Sequence, residues 1–197
     1  MNRSSFLTRF LLSPMASHKH HYPLKQKFKK AAVLVALVER QGVLNIILTE
    51  RALHLRHHPG QISFPGGKQE HFDKSLQHTA IRETQEEIGI EPHQVEIIGQ
   101  LAPLKTNSGF EVTPYVALVD NQLSLTIDDQ EVKSVFEVPL HFILNKRNIH
   151  KQHLVANKHR PFVYCIHYQN HLIWGATAHI LKSLQLNLLQ NNHHPIR

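Results

Sequence analysis

At 197 residues the chain has room for one domain with a real hydrophobic core. Its 41% hydrophobic share sits slightly below the usual globular range and argues against both a disordered chain and a membrane protein. A formal charge of +7 suits an anionic ligand such as a phosphorylated nucleotide, and equally suits non-specific affinity for nucleic acid.

Residues 1–30 are basic and His-rich, include Pro14 and Pro23, and read as an N-terminal arm. Its start, MNRSSFLTRFLLSP, is not a convincing signal peptide: Arg9 interrupts the apolar part and no small-residue cleavage site follows. A short helix or docking arm is expected instead. Residues 31–38 predict a buried central strand. Residues 44–49 predict its neighbour, joined by a turn at Arg40-Gln41-Gly42. Residues 51–63 form a long loop, and long ordered loops favour function. A tight turn at Gly66-Gly67 precedes a helix, which Asp73 or Ser75 can cap and Gly89 can end. Further strands are expected at 94–101, 111–119, 123–127 and 131–137, with Pro114 implying an edge or a bulge. A short helix near 140–144, a hairpin of 161–168 with 171–173, and an amphipathic helix at 176–189 complete the chain. The reading is one α+β domain over 31–190, a mixed sheet between helices, with a short tail at 191–197.

Leu76, Ala80, Thr84 and Ile88 recur every four residues and form one packing face of the helix. Glu83, Glu86 and Glu87 share another, at i, i+3 and i+4, where like charges repel by a few tenths of a kcal/mol per pair, roughly. Arg82 is the one adjacent cation. Divalent cations would supply the missing positive charge.

These residues resemble a Nudix box, G-x5-E-x7-R-E-U-x-E-E-x-G-U with U bulky and apolar. Arg82-Glu83-Thr84-Gln85-Glu86-Glu87-Ile88-Gly89-Ile90 matches its second half, with Thr84 at a U position. Gly67 to Arg82 is one residue longer than the general spacing. The first acidic position therefore falls on Asp73 counted forward or Lys74 counted back, and no metal role is carried to it. Upstream, Leu48-Thr49-Glu50-Arg51-Ala52, Arg56, Gly60 and Phe64-Pro65-Gly66-Gly67 are similar to the extra signature of the coenzyme A pyrophosphatase branch, L-L-T-x-R-[SA]-x3-R-x3-G-x3-F-P-G-G, with Ile47 in place of the first leucine. That branch shows the longer box too. The likeness spans roughly residues 31–184.

The resemblance implies the Nudix fold and a pyrophosphohydrolase that uses Mg²⁺ or Mn²⁺ to cleave coenzyme A, or an acyl or oxidised form, to 3′,5′-ADP and a phosphopantetheine. It implies Glu83, Glu87 and Glu86 as metal ligands, Glu86 alternatively accepting the proton of water, and Arg82 as the group that orients a carboxylate. Gly67 would lend a carbonyl or a close approach near the metal. Arg51 and Arg56, with Gly60 between strand and box, would grip the diphosphate or the 3′-phosphate, and Lys68 is a further phosphate candidate. Glu131 is a candidate remote base or extra ligand, although an ordinary exposed glutamate is the plainer reading. Trp174 and Phe136 read as core in preference to adenine-stacking groups.

Three other readings compete: a Nudix hydrolase for another nucleoside diphosphate derivative, a non-catalytic ligand-sensing Nudix domain, and a basic nucleic-acid-binding module. The intact glutamates argue against the second. No basic and aromatic residues interleave outside the His-rich arms, which argues against the third. The histidines at 18–21, 57–58 and 193–194 lack zinc-site spacing and read as solvated surface. One cysteine, Cys165, excludes an internal disulfide framework, so a cytoplasmic location is the default. No run reaches transmembrane length. A small-molecule substrate is the expected partner, and a homodimer stays open.

Overall fold

The computed structural model describes residues 1–13, 27–153 and 162–190. In chain order the elements are α1 (Arg3–Leu12), β1 (Lys29–Arg40), β2 (Val43–Arg51), β3 (Ile62–Ser63), β4 (Gly66–Lys68), α2 (Leu76–Ile88), β5 (Val95–Gln100), β6 (Leu104–Lys105) and β7 (Phe110–Val119). They continue with β8 (Val132–Pro139), α3 (Leu140–Leu144), β9 (His150–Gln152), β10 (Val163–Tyr168), β11 (His171–Trp174) and α4 (Gly175–Gln190).

β1 is apolar on both faces because both faces are covered. Ala32, Leu34, Ala36 and Val38 pack with Ala80 and Ile88 of α2. Val35 and Leu37 face the opposite layer, with Phe6 and Phe10 of α1, Leu140 of α3 and Leu181 of α4. The result is the expected mixed sheet between helices. β1 runs parallel to β7 over ten residue pairs, from Lys29↔Phe110 to Val38↔Val119. It turns into β2 through Gln41 and Gly42, both at positive φ, as a tight hairpin of this twist requires.

β1 and β2 then diverge. They pair only from Leu37↔Ile46 to Arg40↔Val43. The fork between them is filled by the chain of the long loop: Ile62 and Ser63 pair with β2, while Gly66–Lys68 pairs with β1. The expected tight turn at Gly66-Gly67 is thus a short strand. Gly66 sits at φ 146°, and a Cβ there would strike the Ala32 carbonyl and the Val33 backbone.

One other expectation is corrected, and the edge-or-bulge reading of Pro114 resolves to a break in register. Residues 123–127 form no strand; the segment runs past the end of α2 instead, where Thr126 N–H donates to the Ile88 carbonyl (3.1 Å) and the following Asp128 N–H to that of Glu87 (3.0 Å). Orphan carbonyls at the helix end are satisfied in this way. Pro114 lies in β7, which has β1 on one side and β5 with β6 on the other, so it is not on an edge. Its carbonyl accepts from Leu101 N–H at 2.9 Å, so its nitrogen faces the same side. There the register passes from Gln100↔Tyr115 to Leu104↔Val112, and residue 114 owes no ladder bond.

The hairpin of β10 and β11 turns at Gln169 (φ 51°) and, with β9, forms a second small sheet against α4. Trp174 is exposed, not core. Phe136 is partly buried and stacks on His171 at 3.9 Å. Pro161, His18, His20, His21, His193 and His194 lie outside the described residues. No helix of the described residues is long and apolar enough to cross a membrane.

Candidate active site

The helix α2 begins where Ser75 Oγ accepts the His78 N–H (3.1 Å) and ends at Gly89 in the left-handed conformation. Ser75, not Asp73, is therefore the cap. Thr84, at an apolar position, is buried and donates to the Ala80 carbonyl at 2.7 Å, so it enters the packing face without an unpaired hydroxyl.

Asp73 has a different task. Its side chain is fully buried and receives Arg82 in a fork, Nε to Oδ1 at 2.9 Å and Nη2 to Oδ2 at 3.0 Å. The Glu70 N–H and the Thr79 hydroxyl also donate to it, and His78 Nδ1 stands 3.0 Å from Oδ1. Arg82 above all, and then these neighbours, hold its carboxyl well below the usual carboxylate range against the cost of burial. Held there, Arg82 reaches Glu83 (2.8 Å) and Glu86 (2.7 Å). Linear spacing alone assigns Asp73 no such part, although counting forward from Gly67 lands on it.

Glu83 and Glu87 converge on β4. A Cβ at Gly67 would overlap the Glu83 carboxylate, so only glycine leaves that carboxylate its place. The Gly66 N–H donates to Glu87 Oε2 at 3.3 Å. Glu87 is 4% exposed, and burial pushes its carboxyl up to about 8 despite the pull of Arg51 and the Gly66 N–H. Burial also raises Glu83, with Arg82 opposing. The charge of Glu131, at the head of β8, raises both. Its backbone carbonyl takes the Ala52 N–H at 2.9 Å, which ties it to the residue after Arg51.

Glu86 departs from the other two. It is 57% exposed and turned towards Arg82. Among the described residues no three acidic, histidine or thiol groups already stand together at metal-ligand spacing. Each glutamate is matched instead by a cation or an N–H. The donor set nevertheless fits a hard cation: carboxylate oxygens brought out of water against a side-chain-free strand, with more negative charge than the nearby arginines offset.

Arg51 leaves the end of β2 and places Nη1 3.9 Å from Glu87 Oε1. Gly60, at φ 68°, turns the loop back so that its N–H bonds the Arg51 carbonyl at 3.1 Å. Arg56 is exposed in the same loop. Lys68 follows Gly67, points to the other side of β4, and pairs with Glu70 at 3.1 Å. Arg51, Gly67, Arg82, Glu83 and Glu87 are therefore brought together, Glu86 stands at the rim, Arg56 and Gly60 adjoin, and Lys68 is directed elsewhere. A cavity of about 400 Å³ lies away from these groups, lined in part by Arg3, Glu39, Glu96 and Asp120. Converging charge, not concavity, marks the site.

A NUDIX domain pattern matches residues 28–158. The chain belongs to the Nudix family. It is 40% identical over 188 residues to a protein of Yersinia pestis named uncharacterized Nudix hydrolase NudL, covering 92% of each chain. The protein of the same name in Yersinia pseudotuberculosis matches equally. Among solved structures, a Caenorhabditis elegans Ap4A hydrolase complex is similar at 22% identity and TM-score 0.49, over 56% of this chain and 80% of that one. By the family pattern over residues 28–158, the mixed sheet between helices is the sheet of a Nudix domain, and Nudix hydrolases act on phosphoanhydrides, in general with divalent ions such as Mg²⁺ or Mn²⁺.

Proposed function

We propose that this Nudix protein hydrolyses the diphosphate of coenzyme A, or of an acyl or oxidised derivative, to 3′,5′-ADP and (acyl-)4′-phosphopantetheine. The observation that carries the reading is the meeting of two motifs: Arg51, from the upstream signature, stands 3.9 Å from Glu87 of the box helix. In hydrolysis a water oxygen bonds to one phosphorus, the bridging P–O bond breaks, and the water's proton passes to a base.

Glu83 and Glu87, completed by Glu86 and the Gly67 carbonyl, would hold Mg²⁺ or Mn²⁺, which when bound neutralises the diphosphate and lowers the pKa of water. The chain's own residues do the rest. Asp73 fixes Arg82, and Arg82 fixes Glu83, so one carboxylate is set before substrate arrives. Arg51 is free to exchange its long contact with Glu87 for a phosphate oxygen, where a guanidinium fork fits two oxygens at once. Arg56, exposed in the same loop, is placed for a second phosphate such as the 3′-phosphate. Glu131, whose charge acts on both Glu83 and Glu87, is the proton acceptor to test. The protein would work on this small molecule in the cytoplasm.

Purified protein incubated with coenzyme A and Mg²⁺ or Mn²⁺, with products resolved by chromatography, tests the reading. The expected products are 3′,5′-ADP and phosphopantetheine, and Glu87→Gln should form them far more slowly, by about 10²-fold or more. Preference for another nucleoside diphosphate derivative across a substrate panel would reassign the substrate while keeping the chemistry.

A further inference from the structure

The charge of the chain is unevenly placed. Residues 138–197 contain seven lysines and arginines and no aspartate or glutamate, while the remainder carries 15 of each sign, so the whole +7 belongs to the C-terminal part. Lys146, Arg147, Lys151 and Lys182 are the described members. Arg40, Arg82 and Lys133 each hold a carboxylate. None of the four forms an ion pair among the described residues.

The fold lays Lys151 over an aromatic ring and sets Lys146 and Lys182 close enough for their charges to be felt, with Lys182 also donating to Gln185 Oε1 at 2.6 Å. Lys151 of β9 is paired with Tyr164 of β10, and its Nζ lies 4.2 Å over the Phe162 ring. Phe162 meets Tyr164 edge-on at 5.4 Å, and Tyr164 meets His179 of α4 edge-on at 5.4 Å. Lys182 follows His179 by three residues on the same helix face. Burial first, and then the charges of Lys146 and Lys151, push the Lys182 amine below its ordinary value. The face belongs to the α4 layer, across the central sheet from Glu83 and Glu87. It is thus separate from the proposed hydrolytic site.

We propose that this face binds single-stranded nucleic acid without sequence preference. Lysines track phosphates, and an exposed ring such as Phe162 offers a surface on which any base can stack. An anionic lipid surface would call for exposed aliphatic side chains beside the lysines. Leu172 and Trp174 are exposed, but they pair with His167 and Cys165 and so alternate onto the other side of the small sheet from Tyr164. The sequence conceals the arrangement because the cations and rings come from separate elements.

Fluorescence anisotropy of the full chain with a labelled single strand of about 12 nucleotides, titrated from low to moderate salt, is the test. The expected result is salt-dependent binding. The variant Lys146→Gln/Arg147→Gln/Lys151→Gln should bind at least about 10-fold more weakly, with a log–log salt slope shallower by about 2. Phe162→Ala should weaken the single strand several-fold and leave a duplex of equal length unaffected. Should the triple variant melt lower than wild type, the exposed pair Lys146→Gln/Arg147→Gln replaces it, with a proportionally smaller change in slope. Absence of binding, equal binding by the charge variants, insensitivity to Phe162→Ala, or binding to anionic vesicles without binding to the oligonucleotide would each overturn the proposal.

Discussion

Asp73 and Arg82 form a two-bond fork, 2.9 and 3.0 Å, with the aspartate side chain closed off from solvent. This pair joins the loop before α2 to the helix and aims the guanidinium at Glu83 and Glu86. Asp73→Asn should cost about 3 kcal/mol, the usual consequence of stranding one member of a buried pair. The effect depends on pH in a fixed sense. Asp73 has a depressed folded value, so its stabilisation is complete above the ordinary aspartate value of about 3.9 and is lost as pH falls below it towards the folded value. Denaturant unfolding at several pH values should show a constant gap between wild type and variant from pH 7 to about 5, narrowing below about 4.

Glu87 is costly to the metal-free protein, since it is charged only against the resistance of its burial. Glu87→Gln should therefore raise Tm in chelator by about 2–4 °C, equivalent to about 1 kcal/mol. Mg²⁺ or Mn²⁺ should raise the Tm of wild type and leave that of the variant unmoved. Turnover should drop by about 10²–10³-fold or more. A wild type whose melting ignores both ions would remove the basis for the metal assignment.

The adjacent glycines should fail differently. Gly67→Ala puts a methyl where the Glu83 carboxylate lies, a side chain that can move, so hydrolysis should suffer more than stability. Gly66→Ala meets the β1 backbone at φ 146°, which cannot yield cheaply, and should lose about 1–3 kcal/mol. Paired thermal melts and rate measurements would separate the two.

Arg51→Ala and Arg56→Ala should each lower kcat/KM on coenzyme A by about 10–100-fold, the range for one hydrogen bond to a charged group. Arg56→Ala should act chiefly through KM. If activity on a dinucleotide lacking the 3′-phosphate falls as far as that on coenzyme A, Arg56 does not read that phosphate.

Much of this site is legible along the chain. The spacing of Glu83 and Glu87, the helix stop at Gly89 and the strand periods at 31–38 and 44–49 are local properties, set by how few residues one helical turn or one pleat contains. Asp73 was in view, but its partner could not be read, because a turn can present either Asp73 or Ser75 to the helix end. The fate of 123–127 was equally hidden, since a short apolar run becomes a strand only if a neighbouring strand pairs with it, and here the Thr126 N–H goes to the helix end.

Taken alone, the chain determined its family, its mixed sheet between helices, and the helical spacing that sets Glu83 and Glu87 one turn apart, because those features are written in neighbouring positions. Only the tertiary structure decided that Glu86 stands apart from Glu83 and Glu87, that Arg51 approaches Glu87, and that Lys151 lies over Phe162 on the far layer. Such juxtapositions arise where diverging strands and packed helices bring distant residues together, and charge acts through space, not along the backbone.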